Sequence, residues 1–244
     1  MNAIDIRDLC KQFGKRTAVD HISLTVADGE MFALLGQNGA GKTTTIQILT
    51  GLLRPSCGEA LLLGQSIVKR PAAFKSSIGL SPQETAVAPK LSVRENLRLM
   101  AEIYGNSRSE ANMRAEEMMA RFGLMQQERQ WAKTLSGGMQ RRLSIAMALI
   151  ANPAVLFLDE PTLGLDVRAR RDLWKLIADL KGHMAIVLTT HYLEEAEALA
   201  DRIGIMDHGR LQIVGTAEEI KQKTGTDTLE EAFLQLTDEE VVAS

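Results

Sequence analysis

The chain has 244 residues, 45% of them hydrophobic, a formal net charge of -3 and a pI near 5.9. That length can bury a sizeable α/β core with room for a smaller subdomain, and the mildly acidic balance gives no global reason to bind nucleic acid. Two cysteines, Cys10 and Cys57, are too few for a disulfide framework and lack metal-ligand spacing, so reduced thiols and no metal site are expected of them.

The first residues, Met1-Asn2-Ala3-Ile4-Asp5, lack the basic start and apolar run of a signal peptide, and no segment supplies the ~20 apolar residues of a membrane span. A soluble, intracellular chain is the expectation. Ile22, Leu24 and Val26 alternate as in a half-buried strand, whereas Met31 to Leu35 is continuously apolar, as in a central strand covered on both faces. A glycine-rich loop follows, then a helix-length segment from Thr43 to Leu52 that ends near Gly51 with Pro55 beyond.

Apolar runs at Ala60 to Leu63, Ile78 to Leu80, Ala154 to Leu158 and Met184 to Leu188 read as further strands, several separated by helical stretches. The economical arrangement is a largely parallel sheet. Between Leu91 and Ile150 the strand pattern disappears, and Ser92 with Glu95 makes a capping box that opens a helix towards Tyr104. Helical spacing of Leu143, Ala146, Met147 and Ile150, and of Leu173, Leu176, Ile177 and Leu180, predicts two helices that each pack by one face. Arg202 to Met206 and Arg210 to Val214 flank the turn Asp207-His208-Gly209 as a hairpin, after which Thr216 and Glu219 cap a short helix.

The loop Gly36-Gln37-Asn38-Gly39-Ala40-Gly41-Lys42-Thr43 fits G-x-x-x-x-G-K-[ST]. Its glycines let backbone N–H groups approach phosphate, Lys42 reaches the β and γ phosphates, and the Thr43 hydroxyl ligates magnesium. The helix that follows, beginning with Thr43 and Thr44, adds its positive N-terminal end. Val155 to Leu158 leads into Asp159 and Glu160, two carboxylates at a strand end where magnesium and attacking water belong. Asp159 is the candidate to hold magnesium, through a water; Glu160, turned in another direction, is the candidate base that polarises the attacking water. Ser136, Gly137 and Gly138 place a hydroxyl and bare amides at a helix start, an anion-seeking arrangement.

In this order the motifs resemble the nucleotide-binding subunits of ABC transporters, with Leu135-Ser136-Gly137-Gly138-Met139 as the signature loop and Asp159-Glu160 as the Walker B end. The resemblance covers nearly the whole chain. Gln83 in Ser81-Pro82-Gln83 matches the Q-loop, Asp166 in Leu163-Gly164-Leu165-Asp166 the D-loop, and His191 the switch histidine. It implies a P-loop NTPase core with a largely parallel sheet, an antiparallel β subdomain and an inserted helical subdomain at about 88–150, within an ATP-binding domain of 1–225 followed by a helical tail of 226–244. It further implies ATP and Mg2+ as ligands, Gln83 at the metal and linking nucleotide to a membrane partner, and His191 on the γ-phosphate. Phe13 stands where the family stacks an aromatic on adenine; burial in the β subdomain is its other reading. Asp166 equally reads as an N-cap.

Met139 departs from the family's commoner glutamine, and Leu163 and Val167 from the serine and proline that often flank the D-loop. Because the P-loop already encloses its own phosphates, the anion site at Ser136 to Gly138 calls for a second chain, as the family's head-to-tail dimers supply. A homodimer or a related ATP-binding subunit, docked on transmembrane permease subunits at the cytoplasmic face, is the implied assembly. Lys90 to Leu97, His191 to Glu197 and Thr228 to Phe233 look like those of bacterial drug, lipid or polysaccharide exporters, with import as the alternative. No Asn-Lys-x-Asp guanine reader occurs, which favours ATP over GTP; a non-transport ABC ATPase would need long coiled coils or two nucleotide domains. Met113, Met118, Met119 and Met125 read first as core filling, with an adaptable binding surface as the other reading, and Arg168, Arg170, Arg171, Asp238, Glu239 and Glu240 as solvated faces or tails.

Overall fold

A computed structural model describes residues 2–69 and 74–237. In chain order its elements are β1 (Asn2–Phe13), β2 (Arg16–Ala27), β3 (Met31–Leu35), α1 (Lys42–Leu49), β4 (Cys57–Leu62), β5 (Gln65–Ser66), β6 (Ile78–Ser81), α2 (Val93–Ile103), α3 (Arg108–Arg121), α4 (Gly137–Leu149), β7 (Val155–Asp159), α5 (Val167–Ala178), β8 (Ala185–Thr190), α6 (Leu193–Leu199), β9 (Arg202–Asp207), β10 (Arg210–Gly215), α7 (Ala217–Thr224) and α8 (Leu229–Thr237). Asp238, Glu239 and Glu240 lie outside the described residues.

Two sheets form, a four-stranded one in the order β2-β1-β4-β5 and a six-stranded one in the order β10-β9-β3-β8-β7-β6. The first is antiparallel; in the second, β6, β7, β8, β3 and β9 run parallel and β10 is an antiparallel edge. This is the α/β P-loop NTPase architecture expected, with the antiparallel β layer and the helices α2, α3 and α4 set between β6 and β7 in sequence.

The continuous apolar runs have a simple cause. Met31, Ala33 and Leu35 of β3 face a core shared with the helices, while Phe32 and Leu34 face a second core shared with α1 and the antiparallel sheet. β7 divides likewise, Leu156 and Leu158 to one side and Val155 and Phe157 to the other. A strand covered on both faces has no polar position to alternate with.

Local signals set the helix starts. Ser92 and Glu95 form the capping box of α2, Thr216 and Glu219 that of α7, and Ser107 with Glu110 a third, at α3, that sequence reading passed over. Four expectations are corrected. α1 stops at Leu49, where Thr50 turns back onto the Ile46 carbonyl, and does not reach Leu52. Met118 and Met119 are buried, but Met113 and Met125 are exposed, so core filling accounts for only half of that set. Arg170 is half-buried with its guanidinium 4.3 Å from the centroid of the Tyr192 ring, a stacked cation and not a solvated one.

The fourth concerns the cysteines. β1 and β4 pair antiparallel and make Cys10 and Cys57 direct partners, with Cα atoms 5.1 Å apart, and the two are joined as a disulfide. Sequence spacing could not show this, because the 47-residue separation is closed by strand register. No helix among the described residues is long and apolar enough to cross a membrane.

Candidate nucleotide site

β3, β8 and β7 are neighbours in that order, so the loop after β3 and the ends of β8 and β7 converge at one edge of the sheet. The loop doubles back on itself through Ala40 N–H to the Gln37 carbonyl, 3.2 Å, and Ala40 is buried, its carbonyl accepting from Gly209 N–H at 3.0 Å. Gly41 then starts α1 with φ 104, and a Cβ there would collide with the Ala18 carbonyl. Only glycine meets both demands.

Lys42 is buried and donates to the carbonyls of Gly36 at 2.7 Å and Gln37 at 3.1 Å. Its ammonium also lies 3.1 Å from Glu160 Oε1, an ion pair whose side chains are each 5% exposed. The other Glu160 oxygen, Oε2, is 2.7 Å from His191 Nδ1. Glu160 takes a left-handed backbone, φ 48, which turns its carboxylate off the strand and into the loop. Such a conformation costs a non-glycine residue on the order of 1–3 kcal/mol and concentrates at functional sites.

Asp159, one residue earlier, faces elsewhere. Its Oδ1 accepts from the Thr189 hydroxyl at 2.6 Å and from the Thr43 hydroxyl at 3.1 Å, while Thr189 Oγ1 accepts the Glu160 N–H at 2.9 Å. Thr43 and Asp159 therefore present hard oxygens side by side, a donor set that fits Mg2+, a cation that takes one or two protein oxygens and completes its shell with water and phosphate. Gln83 and Thr44 line the same pocket, together with Asn38, Gly39, Arg16 and Leu163. Phe13 is 49% exposed, which removes the reading of a buried core aromatic; it pairs with Arg16 in the β1–β2 register, beside that pocket, with Lys11 Nζ 4.9 Å from its ring centroid.

Ser136 is the N-cap of α4, its hydroxyl accepting from Met139 N–H at 3.3 Å, and is exposed. Neither it nor Gly137 nor Gly138 lines the pocket around Lys42. Asp166 caps α5, Oδ1 accepting from the N–H groups of Arg168 and Ala169, each at 2.9 Å, so its N-cap reading stands in this conformation.

Sequence reading missed three side chains that build the site. Arg141, from α4, is buried and donates to the carbonyls of Pro82 at 2.6 Å, Gln83 at 2.8 Å and Glu160 at 2.9 Å. Burial lowers its pKa, and the nearby carboxylates of Asp159, Glu195 and Glu160 oppose that. Thr189 bridges the two acids, and Glu195 is fully buried behind them, its Oε1 accepting from Thr162 Oγ1 and Trp174 Nε1, both at 2.9 Å. Burial pushes the Glu195 carboxyl up.

The family model for ABC transporters matches residues 19–163. The chain is 46% identical over 213 residues to the doxorubicin resistance ATP-binding protein DrrA of Mycobacterium tuberculosis, covering 87% of this chain and 64% of that protein. It is 39% identical over 235 residues to the linearmycin resistance ATP-binding protein LnrL of Bacillus subtilis, covering 96% of this chain and 74% of that one. A solved ATP-binding subunit of an ABC transporter superposes with a TM-score of 0.86 at 30% identity over 97% of this chain and all (100%) of its own. A dimeric ATP-binding cassette in a post-hydrolysis state with ADP and Pi shares the fold at a TM-score of 0.79 and 24% identity over 87% of this chain and 98% of that one. With the loop, the strand-end acids and the helix cap in one architecture and the family model spanning most of them, this chain belongs to the ABC transporter family as one of its ATP-binding cassettes.

Proposed function

We propose that the chain binds and hydrolyses ATP and that two copies, or this chain and a related subunit, close head to tail around two nucleotides to drive separate transmembrane permease subunits. The observation that carries the reading is the Lys42–Glu160–His191 cluster at the phosphate loop. A phosphate-seeking cation, a carboxylate able to take a proton from water and a histidine able to hold that carboxylate stand in one line of contacts. When phosphate arrives, Lys42 exchanges the Glu160 carboxylate for the β and γ oxygens, and Glu160, with Oε2 still on His191, has Oε1 freed to face the attacking water. Thr43 and Asp159 would hold Mg2+, which supplies charge neutralisation at the phosphates; Gln83, on the segment pinned by Arg141, faces the same pocket.

Ser136 to Gly138 seek an anion outside their own pocket, which supports completion of the site by a second chain. The assembly would sit at the cytoplasmic face of a membrane through its permease. Export of drug-like molecules is the direction favoured, because the relatives quoted above are resistance proteins. Purified chain should hydrolyse ATP only with Mg2+, and Lys42→Ala should abolish nucleotide binding measured by fluorescent ATP analogue titration. Unimpaired binding in that variant would remove the loop from its role. Co-purification of the tagged chain from membranes with one multi-span partner tests the transport half separately.

A further inference from the structure

The four-stranded sheet carries on its outer face a cluster that the nucleotide site does not use. β2, β1 and β4 are adjacent strands, and each contributes one side chain: His21, Cys10 and Cys57, whose ligand atoms all lie within 4.8 Å of one another. The sequence-based expectation that neither cysteine belongs to a metal site is thereby reopened. The register places them there: it shifts between Leu9↔Ile22 and Lys11↔Val19, leaving Cys10 opposite the bulged Asp20 and His21, and again between Arg7↔Glu59 and Cys10↔Cys57. Asp8 and His21 both adopt left-handed backbones, φ 52 and φ 51. Bulges of this kind re-aim side chains.

Asp8 Oδ1 is 2.8 Å from His21 Nδ1, which leaves Nε2 as the ring nitrogen open to a ligand. The Asp8 backbone is itself held, its N–H donating to Ser23 Oγ at 2.9 Å and its carbonyl lying against Gly58, where any Cβ would collide with it. A carboxylate that holds one nitrogen of an imidazole standing beside two sulfurs is the pattern by which proteins orient a metal-ligating histidine. Two thiolates with one imidazole select a thiophilic cation, zinc(II) above magnesium or calcium.

We infer that, once the Cys10–Cys57 bond is reduced, this sheet binds one zinc(II) ion through Cys10, Cys57 and His21, with Asp8 positioning the imidazole and solvent in the fourth place. Two molecules of a monothiol reduce the bond, leaving as their own disulfide, and each cysteine sulfur gains a proton; binding then releases both protons and leaves two thiolates on the metal. Disulfide and metal exclude one another. Two sulfurs on a tetrahedral zinc sit about 3.8 Å apart, so the paired strands need only a side-chain adjustment to pass from one state to the other.

Cobalt(II) is a probe for the site, because thiolate ligation gives a sulfur-to-metal charge-transfer band in the near ultraviolet that the oxygen donors of Thr43 and Asp159 cannot. Full-length chain reduced with a phosphine, then freed of it and of nucleotide, should develop that band to a stoichiometry of one cobalt per chain, and zinc should bleach it. The untreated disulfide form should give no band. Cys57→Ser should abolish it, and His21→Ala and Asp8→Asn should weaken binding roughly 10–100-fold, with circular dichroism confirming that each variant is folded. No band in the reduced chain, or a band of unchanged affinity in His21→Ala, overturns the assignment.

Discussion

The Arg141 guanidinium ties the Gln83 carbonyl to the Glu160 carbonyl through one nitrogen, Nη2, at 2.8 and 2.9 Å. The segment that carries the candidate metal and partner-linking glutamine and the residue that carries the candidate base are thus held to one rigid plane on α4, the helix whose first turn is Ser136 to Gly138. A displacement of α4 must move Gln83 and Glu160 together.

Arg141→Ala should therefore cost both stability and turnover. It strands three carbonyls, of Pro82, Gln83 and Glu160, in a buried place, and charge-assisted bonds of this kind are each worth about 1.5–3 kcal/mol without being additive. Urea unfolding should show a loss of about 3–5 kcal/mol. Arg141→Lys keeps the charge but not the fork and should recover only part of it. A variant as stable as the parent would mean that the three carbonyls find other donors.

Glu160→Gln should keep ATP binding and lose hydrolysis by about 10²–10⁴-fold, the range for removal of a general base. It also breaks the buried pair with Lys42, which should leave the lysine more available to phosphate and raise ATP affinity. Size-exclusion chromatography with ATP should then show a trapped dimer. Near-normal turnover in the variant would assign water activation to another group.

Much of this site was legible because the chemistry needs consecutive residues: the phosphate loop, the two strand-end acids and the helix cap are each local runs, and the fold brings the side chains of the loop and the acids within contact distance while the cap stands outside their pocket. What was not legible lies in register and in buried partners. β1 escaped detection because Asp5, Arg7, Asp8 and Lys11 interrupt it and a bulge at Asp8 changes the phase of Ile4, Ile6 and Leu9, which are nevertheless buried. The same bulge hides the cysteine pairing. Arg141 sits beside Arg142 in a helix that reads as polar there, and only the packing of α4 under β6 and β7 shows that one of the two faces inward. Thr189 and Glu195 carry no motif of their own; their role is to hold Asp159 and Thr162.

If Ser136 completes the partner's pocket, two inactive variants should rescue each other. Lys42→Ala lacks a working phosphate loop and Ser136→Arg a working cap, so each alone should have little ATPase activity. In an equal mixture, heterodimers hold one site made of an intact loop and an intact cap, and roughly a quarter of all sites are restored for random pairing. The measurement is phosphate release before and after mixing. Activity no greater than the mean of the two variants would place Ser136 outside the shared site.

Glu195 should make stability fall as pH rises. Burial raises its folded pKa, so from the ordinary carboxylate range upward the unfolded chain gives up a proton that the folded chain still holds. Below that range both states are protonated and the penalty is absent; above the folded value it is fully present and constant. Glu195→Gln keeps an oxygen for Thr162 and Trp174 but cannot ionise. The variant should therefore gain on the parent as pH rises from the ordinary carboxylate range, about 4.5, towards neutrality, read as the difference between their urea midpoints at each pH. Parallel profiles across that window would show that the unfolded and folded carboxyls titrate together, and that the hydrogen bonds from Thr162 and Trp174 fully offset burial.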